Sequence, residues 1–265
     1  MNTNSKRLRD KKRMKVYQAF MPWVCTAAVL IIWQVISRLL GDASLMLPAP
    51  SDIGAALIAH HEVVWHNAWY TLATTLVGFA AALVGGVLIG LAIGASPLVY
   101  SGLYPLLVAF NAVPKVALVP IFVLWFGIGA VPAAIMAFAL AVFPIIVNVA
   151  TGLATIDPET EDVMRSLGAT RYEILTKVGI PRMLPYLFAS LKIAITLAFV
   201  GAVISETVAS NNGIGFLMQA AAARFDVALV FAGLVVVAGL AVIAYAVCAA
   251  IEGRMTKWAV RGQRR

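Results

Sequence analysis

The chain has 265 residues, of which 62% are apolar and only 12% charged, with a formal net charge of +8. Its mean hydropathy is +0.93. A soluble domain of this length carries about 25% charged residues, so this composition excludes a water-soluble globule and points to lipid as the solvent. In that setting the positive charge reads as membrane orientation and not as nucleic-acid binding.

The first fifteen residues carry Lys6, Arg7, Arg9, Lys11, Lys12, Arg13 and Lys15 against Asp10. An apolar run from 20 to about 36 follows. It exceeds a signal-peptide core and lacks a small-x-small cleavage site, so it reads as a retained first span. Segment 50–66 reads as a short helix at the outer surface, with Ser51 as its cap after Pro48 and Pro50. It carries His60, His61 and His66, expected to be solvated or headgroup-facing, with no metal. Between 63 and 114, and again between 116 and 156, there is no Asp, Glu, Lys or Arg. A span needs roughly 20 apolar residues, so these stretches hold about three spans, at 68–95, 100–125 and 131–152. Ser96-Pro97 and Gly127-Ile128-Gly129 supply the turns. Runs 185–205 and 227–251 complete a count of six. The chain is thus expected to be all-α and polytopic. Its expected parts are 1–66 (basic tail, first span, external segment), 67–251 (the main membrane domain, with a loop at 153–184) and 252–265 (a basic tail).

Charge sets the orientation. With the basic N-terminus inside, segment 41–67 falls outside and has no Lys or Arg. Segment 153–184 falls inside with Arg165, Arg171, Lys177 and Arg182. The tail falls inside with Arg254, Lys257, Arg261, Arg264 and Arg265. This is the positive-inside pattern.

Within the spans, Gly78, Ala82, Gly86, Gly90 and Gly94 recur every four residues and form one small-residue face, suited to close helix packing or to a sliding surface. The third span is broken by Pro114-Lys115 and Pro120. Irregular backbone at membrane depth needs protein or a water-filled cavity around it, and a lysine there faces the interior or snorkels. Lys115 is therefore the leading pathway candidate. Lys192 is expected to snorkel to the inner surface. Glu206, the second pathway candidate, ends the fifth span before a polar, glycine-bearing stretch, 210–215, that reads as a gate, a re-entrant turn or an external loop.

The loop 157–182 reads as two short helices. Asp157 is an N-cap, Pro158 suits the first position, and Glu159, Glu161 and Asp162 favour the positive helix end. Gly168 is placed as the C′ residue. Thr170-Arg171-Tyr172-Glu173 is a capping box, Pro181 is expected to end the second helix, and Pro185 to begin the fifth span. Such a loop suits docking on a soluble partner.

Asp162-Val163-Met164, then Gly168, then Val178-Gly179-Ile180-Pro181 resembles the EAA loop of bacterial ABC importer permeases. Glu-Ala-Ala is replaced by Asp-Val-Met, and Ile-x-Leu-Pro by Val-x-Ile-Pro. The run 165–171, Val113-Pro114-Lys115 through Pro120, Trp125-Phe126-Gly127-Ile128-Gly129, and Glu206 with Gly213-Ile214-Gly215 resemble the nitrate, sulfonate and taurine branch. The resemblance covers about 65–251. It implies the type I ABC importer permease fold in a bacterial inner membrane, with two permease copies forming a homodimer and two cytoplasmic ABC ATPase subunits that hold ATP and Mg. It also implies an external solute-binding protein, surrounding lipid and no cofactor on this chain. Helix 158–168 becomes the coupling helix, through Glu159, Glu161, Asp162, Val163, Met164, Arg165, Gly168 and Ala169. The solute becomes a small anion of the nitrate, sulfonate or taurine kind. The sequence itself has no phosphate-binding Gly-x-x-x-x-Gly-Lys-Ser/Thr loop and no catalytic His, Cys or acid set. A stand-alone secondary transporter or channel is the alternative, and it would favour acidic residues at mid-membrane.

Overall fold

The computed structural model describes residues 3–39, 47–155 and 157–256. Lys257, Arg261, Arg264 and Arg265 of the basic tail lie outside them. Among the described residues the chain is helical and without strands. In chain order the helices are α1 (Thr3–Leu39), α2 (Pro50–Ala59), α3 (His61–Gly94), α4 (Pro97–Ala112), α5 (Val119–Phe126) and α6 (Ala130–Ala154). There follow α7 (Pro158–Ser166), α8 (Arg171–Ile174), α9 (Ile180–Ala209), α10 (Ile214–Ala222) and α11 (Val227–Met255). Five helices are long and apolar enough to span a membrane. The bent pair Leu98–Ala112 and Lys115–Phe126 makes a sixth, in line with the expected count.

Two compact units contain these helices. The smaller holds residues up to 61 together with 221–232. In it α1 and α2 are joined by a polar cluster: Arg38 donates to Ser51 (2.9 Å) and to Asp52 (2.7 Å), and Gln34 donates to Ser51 (3.0 Å). Ser51 is therefore not the cap of α2. Ala49 holds the cap position and Pro50 begins the helix, which places Ser51 inside the first turn with its hydroxyl turned to α1. The surface helix is also shorter than expected. It stops at Ala59, and the residues from His61 onward belong to the long helix α3.

The larger unit, 62–220 with 233–265, is organised around α6. One side of α6 receives the glycine stripe of α3. A methyl group at Gly86 would lie 2.8 Å from Ile145 Cβ, and one at Gly90 would lie 2.7 Å from Val149 Cβ. At Gly94 it would lie 2.9 Å from Leu153 Cβ, and at Gly78 it would strike the Ala134 carbonyl. In lipid, helices are held by such close approach, because hydrocarbon offers no hydrophobic drive between them. The same stripe of α6 also packs with α9. Ala137, Ala141, Ile145, Val149 and Leu153 recur every four residues and are buried with Leu187, Leu191, Ala194, Ala198 and Ala202. Gly201 sits against Met136 at one end of this contact, and Gly152 against Met183 at the other.

Proline places the remaining features. Pro114 separates α4 from a 3-10 turn at Lys115–Leu118, and the span bends by 74° there. Pro181 does not end a helix, contrary to expectation. Arg171–Ala209 is one continuous helical rod, widened by a π-helical turn at Leu175–Gly179. A proline in regular α-helix clashes with the carbonyl four residues back. Widening the turn just before Pro181 removes that clash without ending the helix.

Candidate functional site: a self-capped loop and a buried carboxylate

The loop between α6 and α9 carries most of the residues singled out above. Its first helix, α7, begins at Asp157 and Pro158. Asp157 does not cap α7 with its side chain. The carboxylate instead accepts from Arg182 Nη1 at 2.8 Å, which ties the start of the loop to the start of α9. Glu161 and Arg165 pair one turn apart on α7. At the other end Gly168 has φ +83°, a conformation natural only to glycine. Its N–H bonds to the Arg165 carbonyl (2.9 Å), and the Ala169 N–H bonds to the Met164 carbonyl (3.0 Å). These two bonds are the Schellman closure of a helix. Thr170 and Glu173 then form the reciprocal capping box that opens α8. The backbone N–H of Thr170, its hydroxyl and Lys177 hold the Glu173 carboxyl below the ordinary carboxylate value.

These caps leave the loop's apolar side chains facing outward. Val163 is 58% exposed, Leu167 78% and Tyr172 74%. Glu159 and Asp162 are also exposed. Among the described residues nothing covers these apolar side chains, and an exposed apolar patch of this kind marks an interaction surface.

Lys115 lies at the break of the bent span. Its ammonium donates to the Asn111 carbonyl (3.1 Å) and to Asn111 Oδ1 (2.7 Å), capping the last turn of α4. Among the described residues it has no carboxylate within ion-pair distance. Lys192 is paired. Its Nζ meets Glu252 Oε2 of α11 at 2.6 Å, with the two side chains 21% and 24% exposed. An ion pair answers both charges in place. Sequence reasoning assigned Glu252 to the basic tail and missed this partner, because the pairing spans 60 residues.

The position of Glu206 differs most from a reading along the chain. It is 1% exposed, and the segment after it doubles back so that Gly215 lies against Val203 and Glu206 of α9. The 210–215 stretch is therefore a tight reversal leading into α10. Oε2 of Glu206 accepts from Thr71 Oγ1 (2.8 Å) and from the Gly215 N–H (3.1 Å), and Oε1 accepts from Thr74 (3.4 Å). Thr71 Oγ1 accepts from the Ile214 N–H (2.8 Å), and Asn67 Oδ1 accepts from the Gly213 N–H (2.7 Å). Three successive N–H groups at the start of α10 thus find acceptors on α3 and α9. A helix leaves these first donors without internal partners and carries partial positive charge there, so the carboxylate and the helix end answer each other. Both glycines are required: a Cβ at Gly213 would strike the Glu206 carboxyl, and one at Gly215 would strike the Val203 carbonyl. Glu206 and Lys115 share no hydrogen bond. The threonines that receive Glu206 were invisible in sequence, being 132 and 135 residues away.

Beyond this geometry, residues 82–257 match the family described as binding-protein-dependent transport system inner membrane component. The chain is 32% identical over 243 residues to the formylaminopyrimidine transport permease protein ThiX of Halalkalibacterium halodurans, covering 91% of this chain and 97% of that one. It is 27% identical to the taurine transport system permease protein TauC of Escherichia coli, covering 88% and 87%. A chain of the inward-facing MetNI methionine ABC transporter has the same fold, with a TM-score of 0.66 at 20% identity over 75% of this chain and 98% of that one.

Proposed function

This chain belongs to the family of binding-protein-dependent transport system inner membrane components, and from that premise we propose that it forms the solute pathway of an ATP-driven importer gripped at loop 157–182. The family is a transport component, with ATP hydrolysed in a separate subunit. The observation that carries the reading is the loop, where α7 is closed at its C-terminal end by Gly168 and Ala169 and where, among the described residues, Val163, Leu167 and Tyr172 have no cover. In this reading Glu159, Glu161, Asp162, Val163, Met164, Arg165, Gly168 and Ala169 meet a cytoplasmic ATPase that holds ATP and Mg. The loop end of the bundle then lies inside the cell, and a binding protein delivers solute to the opposite end. The long exposed faces of α4 and α5, with Leu98, Leu106, Phe110 and Leu124 outward, suit a second copy of this chain and the surrounding lipid.

The solute is a small anion of the taurine, sulfonate or nitrate kind. The support is Lys115, a cation at a helix break with no carboxylate partner among the described residues, together with the likeness to a taurine permease. The likeness to a formylaminopyrimidine permease makes a heterocyclic solute the competitor. Crosslinkers placed at Val163 and Leu167 should capture an ATPase subunit in membranes, and taurine uptake should fall on ATP depletion and on Lys115→Ala. Uptake that survives ATP depletion would replace this reading with a gradient-driven carrier. Uptake of a formylaminopyrimidine in place of taurine would keep the importer and change the solute.

A further inference from the structure

The loop end and the far end of the larger unit are joined by a single helix. Arg171–Ala209 is continuous over 39 residues, about 58 Å at 1.5 Å per residue. At its start Arg182 holds Asp157 of the docking loop. Near its far end Glu206 holds the first residues of α10. Glu206 has no cationic side chain in this role. The opposing charge is the N-terminus of α10, so α10 is fastened to the rod electrostatically as well as by Ile214 and Leu217, which are buried. Thr71 completes the fastening: one hydroxyl donates to Glu206 and accepts from Ile214. Those bonds share atoms, so loosening one loosens the others, and the seat of α10 behaves as a unit.

We propose that Glu206 is a positioning residue for transport: it fastens helix α10 to the far end of the α8–α9 rod, so that displacement of loop 157–182 at one face is delivered to α10 at the other. The proposal rests on the reading of that loop as the ATPase contact. A carboxylate in a membrane-spanning helix is costly and marks function by default. Here the cost is met by a helix end, which holds direction as well as charge. A glutamine has the same size, but it presents an N–H₂ group and no charge to a cluster made of donors, so it should not reproduce the seat.

The test uses the assembled transporter in lipid, with Cys25→Ser and Cys248→Ser removing the native thiols and Ala220→Cys, at a half-buried position of α10, as the reporter. A membrane-impermeant maleimide is applied without nucleotide and with ATP plus vanadate. In the Glu206 background the labelling rate should differ between the two states by at least about 5-fold, the low end of an ordinary coupling between sites. Glu206→Gln should make the rate the same in both states while ATPase activity persists. Equal labelling in both states with Glu206 intact overturns the proposal. Retention of the state dependence in Glu206→Gln overturns it as well. Thr71→Val provides the second arm if Glu206→Gln fails to assemble, with the same two outcomes. A purified complex with no ATPase, or with the loop untouched by one, overturns the importer reading and this proposal together, whereas a working ATPase with an unresponsive α10 overturns this proposal alone.

Discussion

The two ends of the larger unit solve the same problem, the unpaired groups at helix termini, in opposite ways. At the loop end the caps around Gly168 and Thr170 are local. Thr170 and Glu173 close on each other, Gly168 turns the chain back on α7, and Glu161 pairs with Arg165 one turn on. At the far end the first donors of α10 are met mainly from distant helices. The first N–H groups of α10 reach Asn67 and Thr71, 146 and 143 residues away. A segment satisfied by itself stays intact while exposed and can be handled by a partner. A segment satisfied by distant helices instead reports the arrangement of those helices. The first suits an input and the second an output.

The contrast is sharpest if damage at the far end is both large and propagated. Thr71→Val keeps the shape but leaves the Ile214 N–H and Glu206 short of a partner. The expected loss is about 1–3 kcal/mol for each buried group left unmade, read as a lower unfolding temperature in nanodiscs. A loss confined to a few tenths would mean that the far end is not a tight seat. The Lys192–Glu252 pair lies between the two regimes. Lys192→Met should cost less than the roughly 3–5 kcal/mol of breaking a fully buried pair, because both side chains retain some exposure. Lys192→Met with Glu252→Leu should recover most of that loss, and strict additivity of the two single changes would show that the pair does not couple.

At the loop end, Gly168→Val forces a branched residue into φ +83°, at a cost of roughly 1–2 kcal/mol. There is open space around the position, so membrane insertion should survive while uptake falls. Undiminished uptake would remove the loop from the input role. The smallest effect is a pH dependence of the α8 cap. The Glu173 carboxyl is held below its ordinary value by Thr170 and Lys177. Its contribution is fully present above the ordinary carboxylate value and is lost as pH falls through the lowered one. Protease nicking near 170–174 should therefore increase only on acidification below the ordinary carboxylate range, and Glu173→Gln, which keeps the capping box, should flatten that dependence.

The glycines, prolines and charges of this chain were informative alone wherever the interaction they serve is local or periodic. The four-residue glycine spacing marked the α3 face that meets α6, the uncharged runs marked the spans, and the capping signals marked α7 and α8. The sequence could not say that Pro181 lies within a continuous rod, because that depends on how the backbone widens around it. Nor could it say that Ser51 serves α1, that Lys192 meets Glu252, or that Glu206 holds the start of α10. A cap or a stripe is settled over one or two turns by the residues that compose it. A carboxylate 132 to 135 residues from the hydroxyls that receive it acquires its partners only when the helices between them have packed.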